Sequence, residues 1–270
     1  MTNHNSPIGV FDSGIGGLTV LKEIRTLMPN ENVVYFGDTA RVPYGSKSKD
    51  TVMRYVRQII RFLKTKEVKA IVIACNTASA YALFESALDE DIPVIGVIDA
   101  GVKTACNVTK NKRIGIIGTD GAIQSGVHAK MINRIDSQIS VFGKACPLFV
   151  PFAEEGLFDT KLTDGVVEHY LSYFKPLDID TLILGCTHYP LLINAIRRYL
   201  GDNINYVNPA YETACQLREL LLDSNMLCDA DNTSVCEFFV SDCAKKMISF
   251  ADMILGGENN KITALNIENY

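Results

Sequence analysis

The sequence predicts an α/β protein built from two pseudo-symmetric parallel-sheet domains, with the active site in the cleft between them. Three observations predict this. Apolar, branched runs alternate with helical stretches along the chain, the pattern of βα units joined by right-handed crossovers. Two of these runs, Lys69 to Ala74 and Asp180 to Gly185, lie 111 positions apart and look like copies of each other; each stops at a cysteine, Cys75 or Cys186. Other landmarks repeat at nearly the same offset: Asp12-Ser13 with Thr119-Asp120 at about 107, and Asp99 with Asn208 at 109. A repeat this long is a duplicated domain, not a solenoid unit.

In order, Pro7–Phe11 reads as a strand and Gly17–Leu27 as a helix ending near Pro29. Asn32–Phe36 is the next strand. Asp50–Thr65 carries Val52, Val56, Ile59, Ile60 and Leu63 on one face of a 3.6-residue period, so it is a helix. Val68–Ala74 is a continuous apolar run, hence a strand buried on both faces. Ala78–Leu88 follows as a helix and Ile92–Ile98 as a strand. The pattern then restarts with strand Arg113–Ile117, a helix over about Ile123–Ile135 and strand Gln138–Phe142. Pro147–Val150 is strand-like. Leu162–Tyr173 is helical, Thr181–Leu184 a strand, Pro190–Leu200 a helix and Asn203–Val207 a strand. Ala210–Leu222 and Ala244–Leu255 are amphipathic helices bracketing strand Val235–Val240, and a polar tail follows Gly256. The expected division is 1–98 plus 209–270 as the first domain and 99–208 as the second.

The chain of 270 residues is 47% hydrophobic and 21% charged, an ordinary balance for a water-soluble globular protein. Its net charge of -5, without a basic cluster, argues against nucleic acid as a partner. No apolar run approaches the roughly 20 residues of a membrane span. A polar start leading directly into a strand predicts no signal peptide and a cytoplasmic protein. The eight cysteines should then be reduced. No C-x-x-C pair supports a thiol–disulfide enzyme, and Cys228, Cys236 and Cys243 lack zinc-ligand spacing. Those three, with Cys106 and Cys215, read as small buried hydrophobes.

Chemistry is expected just beyond the carboxyl ends of parallel strands, where Cys75 and Cys186 fall. Two equivalent thiols suggest a reaction needing one on each side of a substrate. A helix start after each cysteine would favour the thiolate. The N–H groups of Asn76-Thr77 and Thr187-His188 would suit a carboxylate. Asp12-Ser13-Gly14-Ile15-Gly16-Gly17 is a Gly-rich turn, but Thr19 stands where a dinucleotide fingerprint needs glycine, and the turn has no P-loop lysine. His188 could orient or deprotonate Cys186, and Asp12 could serve Cys75. Glu154-Glu155 precede Gly156, and one of them could face the second thiol. Pro43-Tyr44-Gly45 alone signals a turn.

Taken together these residues resemble the glutamate racemases of the cofactor-independent aspartate/glutamate racemase superfamily. The resemblance spans essentially the whole chain. It rests on the Asp12–Gly17 turn, Pro43-Tyr44-Gly45, Cys75-Asn76-Thr77, Pro147–Pro151 with Glu154-Glu155-Gly156, and Gly185-Cys186-Thr187-His188-Tyr189-Pro190. It implies interconversion of L- and D-glutamate for peptidoglycan synthesis, with neither pyridoxal phosphate nor metal, by a protein that forms homodimers. It further implies that Cys75 and Cys186 are the opposed acid and base, Asp12 assists Cys75, and His188 with Glu154 or Glu155 assists Cys186. Ser13, Asn76, Thr77, Thr119 and Thr187 are matched to groups holding the amino acid, and Tyr44 and Gly45 to a binding loop. Two readings compete: a racemase of aspartate or a related acid, and a non-catalytic amino-acid-binding protein, for which two cleft thiols would be superfluous.

Overall fold

Strand β1 (Ile8–Asp12) is a five-residue run buried on both faces, and it lies between β2 (Val33–Gly37) and β3 (Ala70–Ile73) in parallel register. β4 (Val94–Gly96) pairs outside β3. The computed structural model, which describes residues 2–82, 91–242, 244–256 and 261–270, repeats this arrangement in a second sheet. There β5 (Arg113–Gly118) lies between β6 (Ser140–Ala145) and β7 (Thr181–Gly185), with β8 (Asn205–Val207) outside β7. The orders β2-β1-β3-β4 and β6-β5-β7-β8 are the same path walked twice. Two later strands, β9 (Cys236–Val240) and β10 (Ile262–Ala264), extend the first sheet beside β2, also in parallel.

Each sheet is covered on both faces, as all-parallel sheets require. On one face of the first, α1 (Leu18–Leu27) and α10 (Pro209–Asp223) share a core with Val10, Tyr35, Val72 and Phe238. On the other, α2 (Lys49–Lys64) starts at Ser48, whose hydroxyl accepts the Thr51 N–H, and buries Val52, Met53, Val56, Ile59, Ile60 and Leu63. Each such side chain contributes roughly 1.5–3 kcal/mol when taken out of water. The short α3 is Asn76–Ala82.

In the second half, α4 (Val97–Val108) and α6 (Val127–Ile135) cover one face, and α8 (Lys161–Leu171) with α9 (Ile193–Leu200) the other. Helices α5 (Asp120–Gln124) and α7 (Phe149–Glu154) follow β5 and β6. α11 (Ala244–Ala251) lies between β9 and β10. Helix α4 follows β4 without a loop, packs on α10 and α6, and shares a core with Ile114, Ile116 and Ile183.

The structure corrects several expectations. The segment expected as strand-like, Pro147–Val150, is a turn at Pro147-Leu148 followed by the first two residues of α7. The expected helix over 123–135 is two helices, broken where Gly126 adopts φ +64°. The expected strand Ile92–Ile98 stops at Gly96, so Asp99 sits inside α4, paired with Lys103 at 2.6 Å, and is not a strand-end landmark matching Asn208, which caps α10. The region after Gly256 is not merely a tail: β10 joins the sheet and Ile267 is buried beside Phe62-side residues of the core. Cys106, Cys215, Cys228 and Cys236 are half-buried rather than buried. Cys243, and positions 83–88 of the helix expected over Ala78–Leu88, lie outside the described residues.

Candidate active site

Extending the strand registers shows why two cysteines meet. Phe11 is level with Ile73 and Gly118 with Gly185, so Ser13 lies level with Cys75 and Thr119 with Cys186. Each cysteine therefore emerges at a sheet's carboxyl edge beside a hydroxyl residue. Ser13 Oγ is 3.5 Å from Cys75 Sγ.

These edges face each other. Thr77 Oγ1 from the first half lies 2.9 Å from Thr119 Oγ1 of the second. Gly45 packs so tightly on Thr119 that a Cβ there would stand 2.6 Å from the threonine Cβ. A Cβ on Gly16 would collide with His188 Cε1 and Thr187 Oγ1. Here the Gly-rich turn serves close approach of the two halves. Asp12, Cys75, Asn76, Thr77, Cys186, Thr187 and His188 are all buried in this region.

The two thiols have different surroundings. Cys186 Sγ is 3.7 Å from His188 Nδ1. On the far side of the ring, Nε2 is 3.3 Å from Glu154 Oε1. That contact is an ion pair by distance without the alignment of a hydrogen bond, since Nε2 has no aligned partner among the described residues. Burial pushes the His188 pKa down, but the Cys186 contact, the Glu154 contact and the charges of Cys186 and Asp12 outweigh it and lift it to about 10. His188 is thus an imidazolium at neutral pH. Glu155 is exposed, so of the adjacent pair Glu154 is the one that meets His188.

Among the described residues no such cation adjoins Cys75. Burial pushes its pKa up to about 12, the Asp12 charge adds to this, and the Ser13 hydroxyl and Ala78 N–H oppose it. The expectation that a helix N-terminus makes both thiols acidic is thus corrected at Cys75, where burial dominates. At Cys186 the premise itself changes. A 3₁₀ turn, Tyr189–Leu192, follows, and α9 begins only at Ile193. The Asp12 pKa is raised by burial, against the His188 charge and the N–H groups of Gly14, Gly17 and Ser13.

Asp12 Oδ1, Asn76 Oδ1 and His188 Nε2 are buried without an aligned protein partner among the described residues. Buried polar groups are normally satisfied, and a polar ligand between the halves would supply partners. Among the described residues no group of three or more His, Cys, Asp or Glu side chains could hold a metal ion.

Tyr44 is buried, with its hydroxyl donating to Asp38 and its ring 5.5 Å from that of Tyr55. Its side chain is engaged behind the loop, leaving Gly45 toward Thr119. Sequence reasoning missed Asp38. Its carboxylate also accepts from Arg41 Nε at 2.7 Å and Ser241 Oγ at 2.8 Å. The signal was available, because Asp38 directly follows the carboxyl end of β2, the position that singled out the cysteines. Tyr35, whose hydroxyl donates to the Gly14 carbonyl at 3.1 Å, carried no signal, being one aromatic in a buried strand.

Residues 8–214 match the family model described as Asp/Glu/Hydantoin racemase. The chain belongs to that family. Its membership makes it a racemase, an isomerase. A glutamate racemase of Geobacter metallireducens is 45% identical over 261 residues, covering 97% of each chain. One of Aquifex pyrophilus is 48% identical over 249 residues, covering 92% of this chain and 94% of its own. The crystal structure of glutamate racemase from Francisella tularensis in complex with D-glutamate superimposes with a TM-score of 0.92 at 39% identity, covering 99% of this racemase and all of that chain. An aspartate racemase of Picrophilus torridus, 17% identical with a TM-score of 0.60 over 79% of this chain and 93% of its own, shares the fold alone. No helix among the described residues is long and apolar enough to cross a membrane.

Proposed function

We propose that this racemase interconverts L- and D-glutamate by two-base proton transfer at Cα, with Cys75 and Cys186 on opposite faces. The observation that carries the reading is the placement of the two thiols. They occupy equivalent strand ends of duplicated sheets whose carboxyl edges face one another. Inversion at carbon needs a proton acceptor on one face and a donor on the other.

In one direction a cysteine thiolate removes the α-proton while the opposite thiol delivers its own proton to the other face. The roles reverse for the return. The α-proton is weakly acidic, so developing charge at Cα and its carboxylate must be met by fixed dipoles. Asn76, Thr77, Thr119, Thr187 and Ser13 supply neutral donors. His188 supplies a positive charge next to Cys186, and Glu154 steadies that charge from behind. Asp12 suits the substrate's ammonium group: a buried carboxylate with one oxygen unengaged gains a cation. The Tyr44–Gly45 backbone, braced by Asp38, is assigned to the distal carboxylate.

The choice of glutamate rests on relatives at 40–48% identity that carry that name. With it go the finer parts of the reading: a cytoplasmic homodimer that works without a cofactor, provides D-glutamate for peptidoglycan, and is organised as domains 1–98 plus 209–270 and 99–208. The test is incubation of purified protein with L-glutamate in D₂O with no added cofactor. Deuterium at Cα with loss of optical rotation supports the reading. A folded sample that exchanges nothing excludes it.

A further inference from the structure

The turn carrying Cys186 and His188 belongs to the second sheet, yet it rests on the first helix of the first half. Thr19, in the first turn of α1, is buried. Its Oγ1 lies 3.0 Å from the Thr187 carbonyl oxygen and 3.0 Å from that of Gly16. A hydroxyl has one proton to donate. The Gly16 carbonyl already accepts the Thr19 backbone N–H at 3.0 Å. Directed at Gly16 alone, the proton would leave two oxygens 3.0 Å apart with none between them. The Thr187 carbonyl is therefore the partner that needs it. Gly16 presses on the same turn from one residue position earlier in the chain than Gly17, with no room for even a methyl group against His188 or Thr187. The turn is seated on Gly16 and tethered by Thr19.

From this we propose that Thr19 is a positioning residue for the second thiol. Its hydroxyl fixes the Cys186–His188 turn against the first half and so sets how far Cys186 lies from the carbon held between the two sulfurs. The proposal rests on the two-thiol reading above. Thr19 acts only through the Thr187 backbone. Cys75 follows β3 and lies beside Ser13, so loss of the tether should disturb one proton transfer and spare the other. Proton transfer requires hydrogen-bond reach, and a displacement near 1 Å costs on the order of 100-fold in rate.

Rates alone cannot show a one-sided defect. Enantiomers are equal in free energy, so kcat/KM for the two directions stays equal in every variant. Isotope effects can show it. With glutamate deuterated at Cα, Cys186 removes the label in one direction and Cys75 in the other. The Cys186 direction starts from the configuration whose β-leaving-group analogue a Cys75→Ser variant still processes.

The experiment compares the unsubstituted protein with Thr19→Val and Thr19→Ser. Thr19→Val should lower kcat by roughly 10- to 100-fold with KM within about threefold. Its isotope effect on kcat/KM should rise in the Cys186 direction and fall toward unity in the other. Thr19→Ser, which keeps the hydroxyl, should restore both values. An unchanged rate, equal isotope effects in both directions, or no rescue by serine would overturn the proposal. If Thr19→Val does not fold, Thr19→Ala is read on the same isotope ratio. If neither folds while Thr19→Ser does, the hydroxyl is structural and the proposal fails. An unsubstituted protein that does not racemise glutamate overturns the underlying reading instead, which separates the two failures.

Discussion

Cys186 Sγ lies 3.7 Å from His188 Nδ1. Among the described residues no equivalent cation stands beside Cys75, whose sulfur has the Ser13 hydroxyl at 3.5 Å. The fold repeats itself down to the strand order, but the charges at the two thiols do not repeat. Burial holds the Cys75 pKa high, at about 12, while the second thiol sits against a buried imidazolium. The two faces of the site are thus alike in geometry and different in electrostatics.

Glu154 is one source of that difference. Removing its charge should lower the His188 pKa, because a neighbouring carboxylate favours the charged imidazole. Glu154→Gln should therefore move the alkaline limb of the kcat/KM profile to lower pH by about one unit. Glu155→Gln, at an exposed position, should leave it in place. A pH–rate series on both variants checks this, and equal shifts for the two would contradict the assignment.

His128 offers a test of stability against pH. It is buried in α6, and burial lowers its pKa from 6.5 to about 4. A base with a depressed folded pKa contributes stability above its unfolded pKa, and the contribution is lost as pH falls toward the folded value. The window is therefore about pH 6.5 down to 4. Between pH 7 and 5 it should contribute about 2 kcal/mol of destabilisation. Urea unfolding of the unsubstituted protein and of His128→Gln at both pH values measures it. The variant should be less stable at pH 7 and lose less on going to pH 5.

Asp38 braces the loop assigned to the distal carboxylate. It gathers Tyr44, Arg41 and Ser241, and Arg41 in turn meets Glu268 at 3.1 Å and lies 3.9 Å over the Tyr55 ring. Asp38→Asn leaves Arg41 without its buried counter-charge, so it should cost about 3 kcal/mol of stability. It should also raise KM for glutamate roughly tenfold, a loss of about 1.4 kcal/mol in binding. Glu268→Ala, removing a largely exposed partner, should cost under about 1 kcal/mol and change KM little. Steady-state kinetics and thermal unfolding of the two variants separate these effects.

Much of this was legible in the residues. Buried parallel strands write continuous apolar runs, so the paired runs ending at Cys75 and Cys186 revealed both the duplication and the thiols. Four things were not legible. A single glycine in the left-handed region broke the helix at Gly126, and hydrophobic periodicity does not register such a break. Glu154 and Glu155 are identical side chains one residue apart. Only the geometry of α7, which turns one toward His188, tells them apart. The weak acidity of Cys75 is not written in the sequence, which shows a helix start but not the depth of burial. Thr19 is the clearest omission, because an ordinary threonine in a first helical turn gives no sign of the carbonyl it meets 168 positions away.

The central claim is that the two thiols serve opposite faces of one carbon. It is tested most directly with Cys75→Ser and Cys186→Ser, each assayed for racemisation and for elimination from both enantiomers of a glutamate analogue bearing a β-leaving group. Both variants should lose racemisation by at least about a thousandfold. Each should still eliminate from a single enantiomer, and the two variants should choose opposite ones. Elimination from the same enantiomer by both, or near-normal racemisation by either, would contradict the account.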